Sequence, residues 1–439
     1  MSIHTQKRFK RVPMLLESFS AIRFKIGVIF MKKIRRVVIS DFFDSLSIGA
    51  FTTYAYWYIY ETTKNQSLVS ILGTISMAAM LLSFIGGYIV DQQSKVKLLR
   101  AIILIRCLLV VIGLSLLYLF HSNLKTLFLV VIANSLLSIV YTPLSESIAP
   151  VLVENKKELF KANSWVSLAN QLASVSSSGL SVLFVLWKKP IWALFGLGLS
   201  VLISYLTILH VPSDATPIQE HSLSFGKTMS DFKHGLLLIV HNRLISLMIP
   251  IALISNFCFW SIWLLMPKYS VDIFNQYKIV YNIIDISFTI GGILGAAAFS
   301  KYHGRLKTGV FYPTLLVGQS MMLILLGINA WVRPSIINVF FVSILWIGYG
   351  IFNSISSVIY FSIIQMSANN DTIGLIIGAV LTIFSLANPI AAALSAPISR
   401  LYTLPTIIVI FGSIMLFAAL AVFSPYFNKE LAKYDKNYN

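Results

Sequence analysis

Charge is scarce in this chain, and acidic charge most of all. Charged residues occupy only 11% of the 439 positions, and Asp and Glu together number 16. Soluble domains carry roughly 25% charged residues, so this scarcity excludes an ordinary water-exposed globule. The chain has two cysteines, Cys107 and Cys258, both inside apolar runs, which argues against a disulfide framework. The seven histidines are scattered without ligand spacing, so no metal site is expected. A Gly-x-x-x-x-Gly-Lys-Ser/Thr phosphate loop and a Ser-His-Asp grouping are both missing. The chain is therefore expected to be neither an ATPase nor another enzyme, and to need no cofactor.

Hydrophobic residues make up 57% of the chain, and the mean hydropathy is +0.81. A helix needs about 20 mostly apolar residues to cross a bilayer. Such runs occur at 37–58, 68–90, 101–120, 127–141, 165–187 and 191–210, then at 246–266, 280–299, 310–331, 336–364, 376–398 and 402–423. The expected fold is an all-α membrane protein of about twelve transmembrane helices in two six-helix halves. Residues 1–36 form a basic cytoplasmic segment, 37–210 the first half, 211–245 a cytoplasmic linker, 246–423 the second half and 424–439 a cytoplasmic tail. Paired glycines in the second and eighth runs, Gly86-Gly87 and Gly291-Gly292, are each followed by basic residues, which supports an internal repeat.

The formal net charge of +18 does not point to nucleic acid. Lys and Arg fall in short segments between apolar runs rather than on one face interleaved with stacking aromatics. With both termini in the cytoplasm, about 25 basic residues lie inside and about 8 outside, as the positive-inside rule requires. The basic first 36 residues fit an interfacial helix on anionic lipid. They also fit an over-long start, with Met31 as the initiator. The lysine- and asparagine-rich ends fit a bacterial cell membrane, and a monomer is expected.

Residues 141–164 carry a more specific signal. Pro143, Pro150, Leu152, Val153, Leu159, Ala162 and Asn163 fall in the order proline, Pro-x-Leu-Val, Leu-x-x-Ala-Asn. This resembles the loop after the fourth helix in the major facilitator superfamily, in its macrolide-efflux-like branch of drug:proton antiporters. Locally, the prolines are expected to end one helix and Asn163 to cap the next. Glu61-Thr62-Thr63, the segment from Asp231 to Arg243, Gln365 with Asp371 and Gly374, and Ala387-Asn388-Pro389 resemble other landmarks of that branch. Three departures stand out, one of them Leu375, which follows Gly374 where that branch has an arginine. The loop after the second helix keeps Gly87, Asp91 and Lys95 but has Gln92 where the family has arginine. The fifth helix reads Ser174-Val-Ser-Ser-Ser-Gly179 in place of the antiporters' glycine-proline pattern.

The resemblance implies a proton-coupled exporter of a small hydrophobic or cationic compound, working by alternating access. Its partners would be the solute, protons and membrane lipid. An importer or a lipid or peptide translocator of the same fold is one alternative, and a non-transporting sensor or immunity protein is another. An ionisable residue inside a span costs roughly 2.5–3.5 kcal/mol on insertion scales, so each needs a reason. Asp41 and Asp44 share one face of the first helix. Facing a central cavity, such a pair can take up and release a proton as access alternates. Asp44, about 4.5 Å deeper, is the first candidate for coupling, Asp41 the second and Asp285 a third. Asp41 beside Arg35 and Arg36 at the headgroups is the structural alternative. Gly87, Asp91, Lys95, Arg106 and Glu146 are gate candidates, with Arg106 expected either to pair with a nearby carboxylate or to snorkel. Phe51, Tyr54 and Trp57 of the first helix and Phe257, Trp260 and Trp263 of the seventh are candidate cavity walls. Asn256 and Asn388 are candidate orienting groups.

Overall fold

The computed structural model describes residues 11–436, apart from 83–84, 87–88, 91–92, 121–122, 153–155, 213–224, 278, 303–307 and 367–372. The described elements are helical. In chain order they are α1 (Arg11–Thr63), α2 (Gln66–Leu81), α3 (Lys95–Phe120), α4 (Asn123–Leu152), α5 (Lys156–Trp187) and α6 (Pro190–Leu209). Then follow α7 (Phe225–His241), α8 (Arg243–Lys268, ending in a π turn Tyr269–Ile273), α9 (Val280–Tyr302), α10 (Thr308–Asn329), α11 (Ile336–Met366), α12 (Ile373–Leu401), α13 (Leu404–Ala421) and α14 (Pro425–Lys436). Among the described residues, ten helices are long and apolar enough to cross a membrane, and α2 is a shorter apolar helix. With α1 they make twelve spans.

Short connections fold these spans into antiparallel neighbours. Lys64 and Lys188 adopt φ of 51° and 56°, the left-handed conformation that reverses the chain between α1 and α2 and between α5 and α6. Asn65 then caps α2 by accepting from Ser67 N at 2.9 Å, and Asn242 caps α8 by accepting from Ile245 N at 3.1 Å. Pro190 starts α6, where its missing N–H is not needed.

The two sets of six spans pack alike. In the first, α1 lies against α5 and α6, α3 against α4 and α6, and α2 against α4. In the second, α8 lies against α12 and α13, α10 against α11 and α13, and α9 against α11. The paired glycines explain one of these correspondences. A Cβ on Gly86 would run into the Ile139 carbonyl of α4, and a Cβ on Gly291 into the Ile347 carbonyl of α11. Gly86, just beyond the end of α2, and Gly291 of α9 therefore each let the backbone approach the fourth helix of its own set, as small residues do in membrane bundles. Outward-facing Leu108, Val111, Phe195, Phe340 and Phe417 are exposed, a surface suited to lipid rather than to water.

Two local expectations are corrected. The helix does not end at Pro143 or Pro150, because α4 runs through both to Leu152. Inside a bundle, neighbouring helices and hydroxyl side chains can compensate the backbone group a proline frees. Asn163 lies within α5, which begins at Lys156, and so is not a cap. The amphipathic α7 packs on α12, and α14 packs on α10 and α8, at the end of the bundle nearest the C-terminus. There the Arg243 guanidinium lies 4.4 Å over the Tyr426 ring, and Ile239, Phe427 and Leu431 share one core.

Candidate functional site

Two features stand out inside the bundle, a cavity of about 470 Å³ and a buried charge network. The cavity is walled chiefly by α8 to α12, with Ser174 reaching in from α5. It runs from Trp263 and Asp285, towards the end opposite the termini, to Tyr312 and Tyr360, near the α10 and α11 ends on the termini side. Phe259 is its central ring. It stacks on Tyr349 at 5.5 Å and 7°, and lies 5.5 Å from both Trp263 and Phe288. Polar groups interrupt this wall: the amides of Asn256, Gln319 and Asn353, the Ser356 and Thr289 hydroxyls, and the Asp285 carboxylate.

The charge network lies in the first six spans. Asp44 of α1 and Arg106 of α3, 0% and 1% exposed, form an ion pair. Arg106 also donates to Ser138 Oγ at 3.2 Å, and its guanidinium lies 4.3 Å over the Tyr141 ring. Tyr141 in turn donates to Asp41 Oδ1 at 2.6 Å, and Ser145 donates to the same oxygen at 2.9 Å. Of the two buried carboxylates, the one guanidinium has taken Asp44.

Between described residues, the halves are joined by a set of hydrogen bonds that gather towards the end opposite the termini. Tyr60 O–H donates to Asp272 Oδ2 at 2.5 Å, Gln66 Nε2 donates to the Leu264 carbonyl at 2.9 Å, and Arg400 donates to Ser67 Oγ at 2.6 Å. Ser70 bonds Ser395. Deeper in, α5 and α9 run antiparallel and meet along a polar seam. Ser174 faces Thr289, Ser178 donates to Asp285, and Asn282 donates to Ser181. The serine stretch that departs from the antiporter pattern is therefore part of the contact between the halves.

The profile of the Major Facilitator Superfamily matches residues 37–392. The chain belongs to the major facilitator superfamily. It is accordingly a multi-pass membrane transporter and not an enzyme. Among curated proteins, this superfamily member is similar to macrolide efflux protein A of Streptococcus pyogenes. The two are 22% identical over 351 residues, covering 77% of this chain and 82% of the relative. Among solved structures it is similar to the nucleoside transporter NupG, with a TM-score of 0.63, 14% identity, and coverage of 89% of this chain and 98% of that one. It is also similar to a variant of the peptide transporter POT, with a TM-score of 0.65, 14% identity, and 89% and 93% coverage. A bacterial homologue of the human lysosomal transporter Spinster, in an inward-facing and unoccupied conformation, gives 0.66 at 12% identity over 92% and 98%.

These findings correct the expected export of a small hydrophobic or cationic, drug-like compound. The superfamily member shares its fold along some nine-tenths of its length with a nucleoside and a peptide transporter. Its cavity also presents several amides, hydroxyls and a carboxylate, where an aromatic wall with few fixed polar groups was expected. The 22% relative does not offset this.

The structure divides the other candidates. Asn256, Trp260, Trp263 and Asp285 line the cavity. Phe51, Tyr54 and Trp57 are at most 1% exposed and pack in the core of the first six spans, where Tyr54 meets Phe184 edge-on at 6.1 Å. Phe257 lines a separate apolar groove with Ile383, Leu386 and Ile414. Asn388 sits in α12 away from the cavity wall. Lys95 opens α3, and Glu146 falls within α4. Gly87 and Asp91 lie outside the described residues. Gln319, Asn353 and Ser356, unmarked in the sequence reading, line the cavity, with Gln319 Nε2 donating to Ser356 Oγ at 2.6 Å. Their signal was legible, since amides inside apolar spans are as much in need of a reason as charges.

Proposed function

We propose that this protein is a secondary transporter that takes up a small polar solute by alternating access, with protons as the coupling ion. The observation that carries this reading is a polar, ring-walled cavity placed beside a seam that joins the halves towards one end. With the termini cytoplasmic, as the basic loops favour, the joined end faces outside and the cavity opens inward. A volume of about 470 Å³ suits a solute of nucleoside or dipeptide size. Solutes that need amides and hydroxyls for recognition do not cross a bilayer unaided. An inward proton gradient drives them in the same direction as the protons. The likeness to nucleoside and peptide transporters supports that solute class.

Coupling is assigned to Asp41 in preference to Asp44. Asp44 holds Arg106, whereas Asp41 is held only by hydroxyl donors that can equally accept from a protonated carboxyl. The test is uptake of radiolabelled nucleosides and dipeptides by cells expressing the chain, with and without a protonophore. Accumulation of at least one solute class, lost with the protonophore, supports the reading. Equal accumulation in expressing and control cells across both panels rejects it.

A further inference from the structure

The cavity wall has a charge sign. Asp285 is the single carboxylate among its described lining residues, and none of them is lysine, arginine or histidine. None of the ion pairs among described residues involves Asp285. Its Oδ2 accepts from the Ser178 hydroxyl, a neutral donor. One turn further along α9, on the same face, stand Phe288 and Thr289, and Phe288 adjoins Phe259, Trp263 and Tyr349 in a continuous bank of rings. Ring faces are electron-rich and attract cations, so rings and carboxylate favour the same kind of ligand group. An anion placed here would meet a carboxylate and ring faces with no countercharge on the wall.

From this we infer that Asp285 is a specificity-determining residue, which selects solutes bearing a protonated amine beside a ring or other flat apolar part and rejects carboxylates that carry no amine. The amine lies against Asp285, the flat part against Phe259, Trp263 and Tyr349, and the amides of Gln319 and Asn353 serve the remaining polar groups. The inference rests on the reading of this cavity as the solute site and narrows that site's chemistry.

Matched probes test it by binding, without transport. Tyramine, tyrosol and para-hydroxyphenylacetate share one ring and differ in carrying an ammonium, a hydroxyl or a carboxylate. Tryptamine, tryptophol and indole acetate form a second series. Binding of each to the purified full-length protein in nanodiscs is read by competition and by the shift in thermal unfolding. Amines are expected to bind about tenfold to a hundredfold more tightly than the matching alcohols, the range for a hydrogen bond to a charged group. The carboxylates should not bind. Asp285→Asn should erase the preference for amine over alcohol, and Asp285→Glu should keep it. The wild-type comparison needs no variant, so a poorly folding Asp285→Asn leaves the test intact. Equal binding of amine and alcohol, binding of the carboxylates, or no binding of either amine overturns the inference. Amine binding in a protein that accumulates no solute would reject the uptake reading and leave this one standing.

Discussion

The Asp44 carboxylate is bonded to the Arg106 guanidinium, while Asp41, one turn away on the same helix, receives only the Tyr141 and Ser145 hydroxyls. Two like residues in one span thus have different partners. Breaking a buried pair from one side leaves an uncompensated charge, which costs more than removing both partners. Arg106→Ala should destabilise the protein by about 3–5 kcal/mol. Adding Asp44→Asn should restore much of that loss. Thermal unfolding of Arg106→Ala, Asp44→Asn and the double variant checks the pattern, and additive losses would show that the pair is not coupled.

Asp41→Asn separates coupling from binding. The amide can still accept from Tyr141 and Ser145, so the local structure should hold. Proton-driven accumulation should be lost, while exchange of solute across the membrane at equal concentrations should persist. Retained accumulation against a gradient would move the coupling site elsewhere.

The joined end should be weakened by Tyr60→Phe, which removes only the hydroxyl that donates to Asp272. Asp272 is exposed, so solvent screens the bond and the effect should be a few-fold change in opening. A cysteine placed by Ser395→Cys, in a background lacking Cys107 and Cys258, reports it. Labelling by an impermeant thiol reagent from outside should speed up in the Tyr60→Phe variant. An unchanged rate would mean that this bond does not hold the end shut.

Gly350→Ala tests the crossing that supports the cavity wall. Its Cβ would meet the Phe288 carbonyl of α9, backbone that cannot rotate away. Overpacking of this kind costs about 1–3 kcal/mol. Because Phe288 and Tyr349 are wall residues on either side of the contact, solute binding should weaken together with the melting temperature. A lower melting temperature with unaltered binding would detach the crossing from the site.

The sequence by itself determined the solvent, the number of spans and the charges that must be explained. Lipid demands long apolar runs with their backbone bonds satisfied internally, and nothing in tertiary structure is needed to see them. Asp41, Asp44, Arg106 and Asp285 stood out for the same reason, since each interrupts an apolar run. Only the tertiary structure decided which carboxylate Arg106 takes, and which aromatics wall the cavity. Tyr54 and Trp57 look like Trp260 and Trp263 in the sequence, yet the first pair is core and the second is wall. The physical reason is that lipid and protein core are both apolar. A spanning helix can therefore be hydrophobic on every side, and its pattern does not say which face meets lipid, neighbour or cavity. The serines from Ser174 to Ser181 read as a departure from a motif, and only the antiparallel approach of α9 made them a seam between the halves.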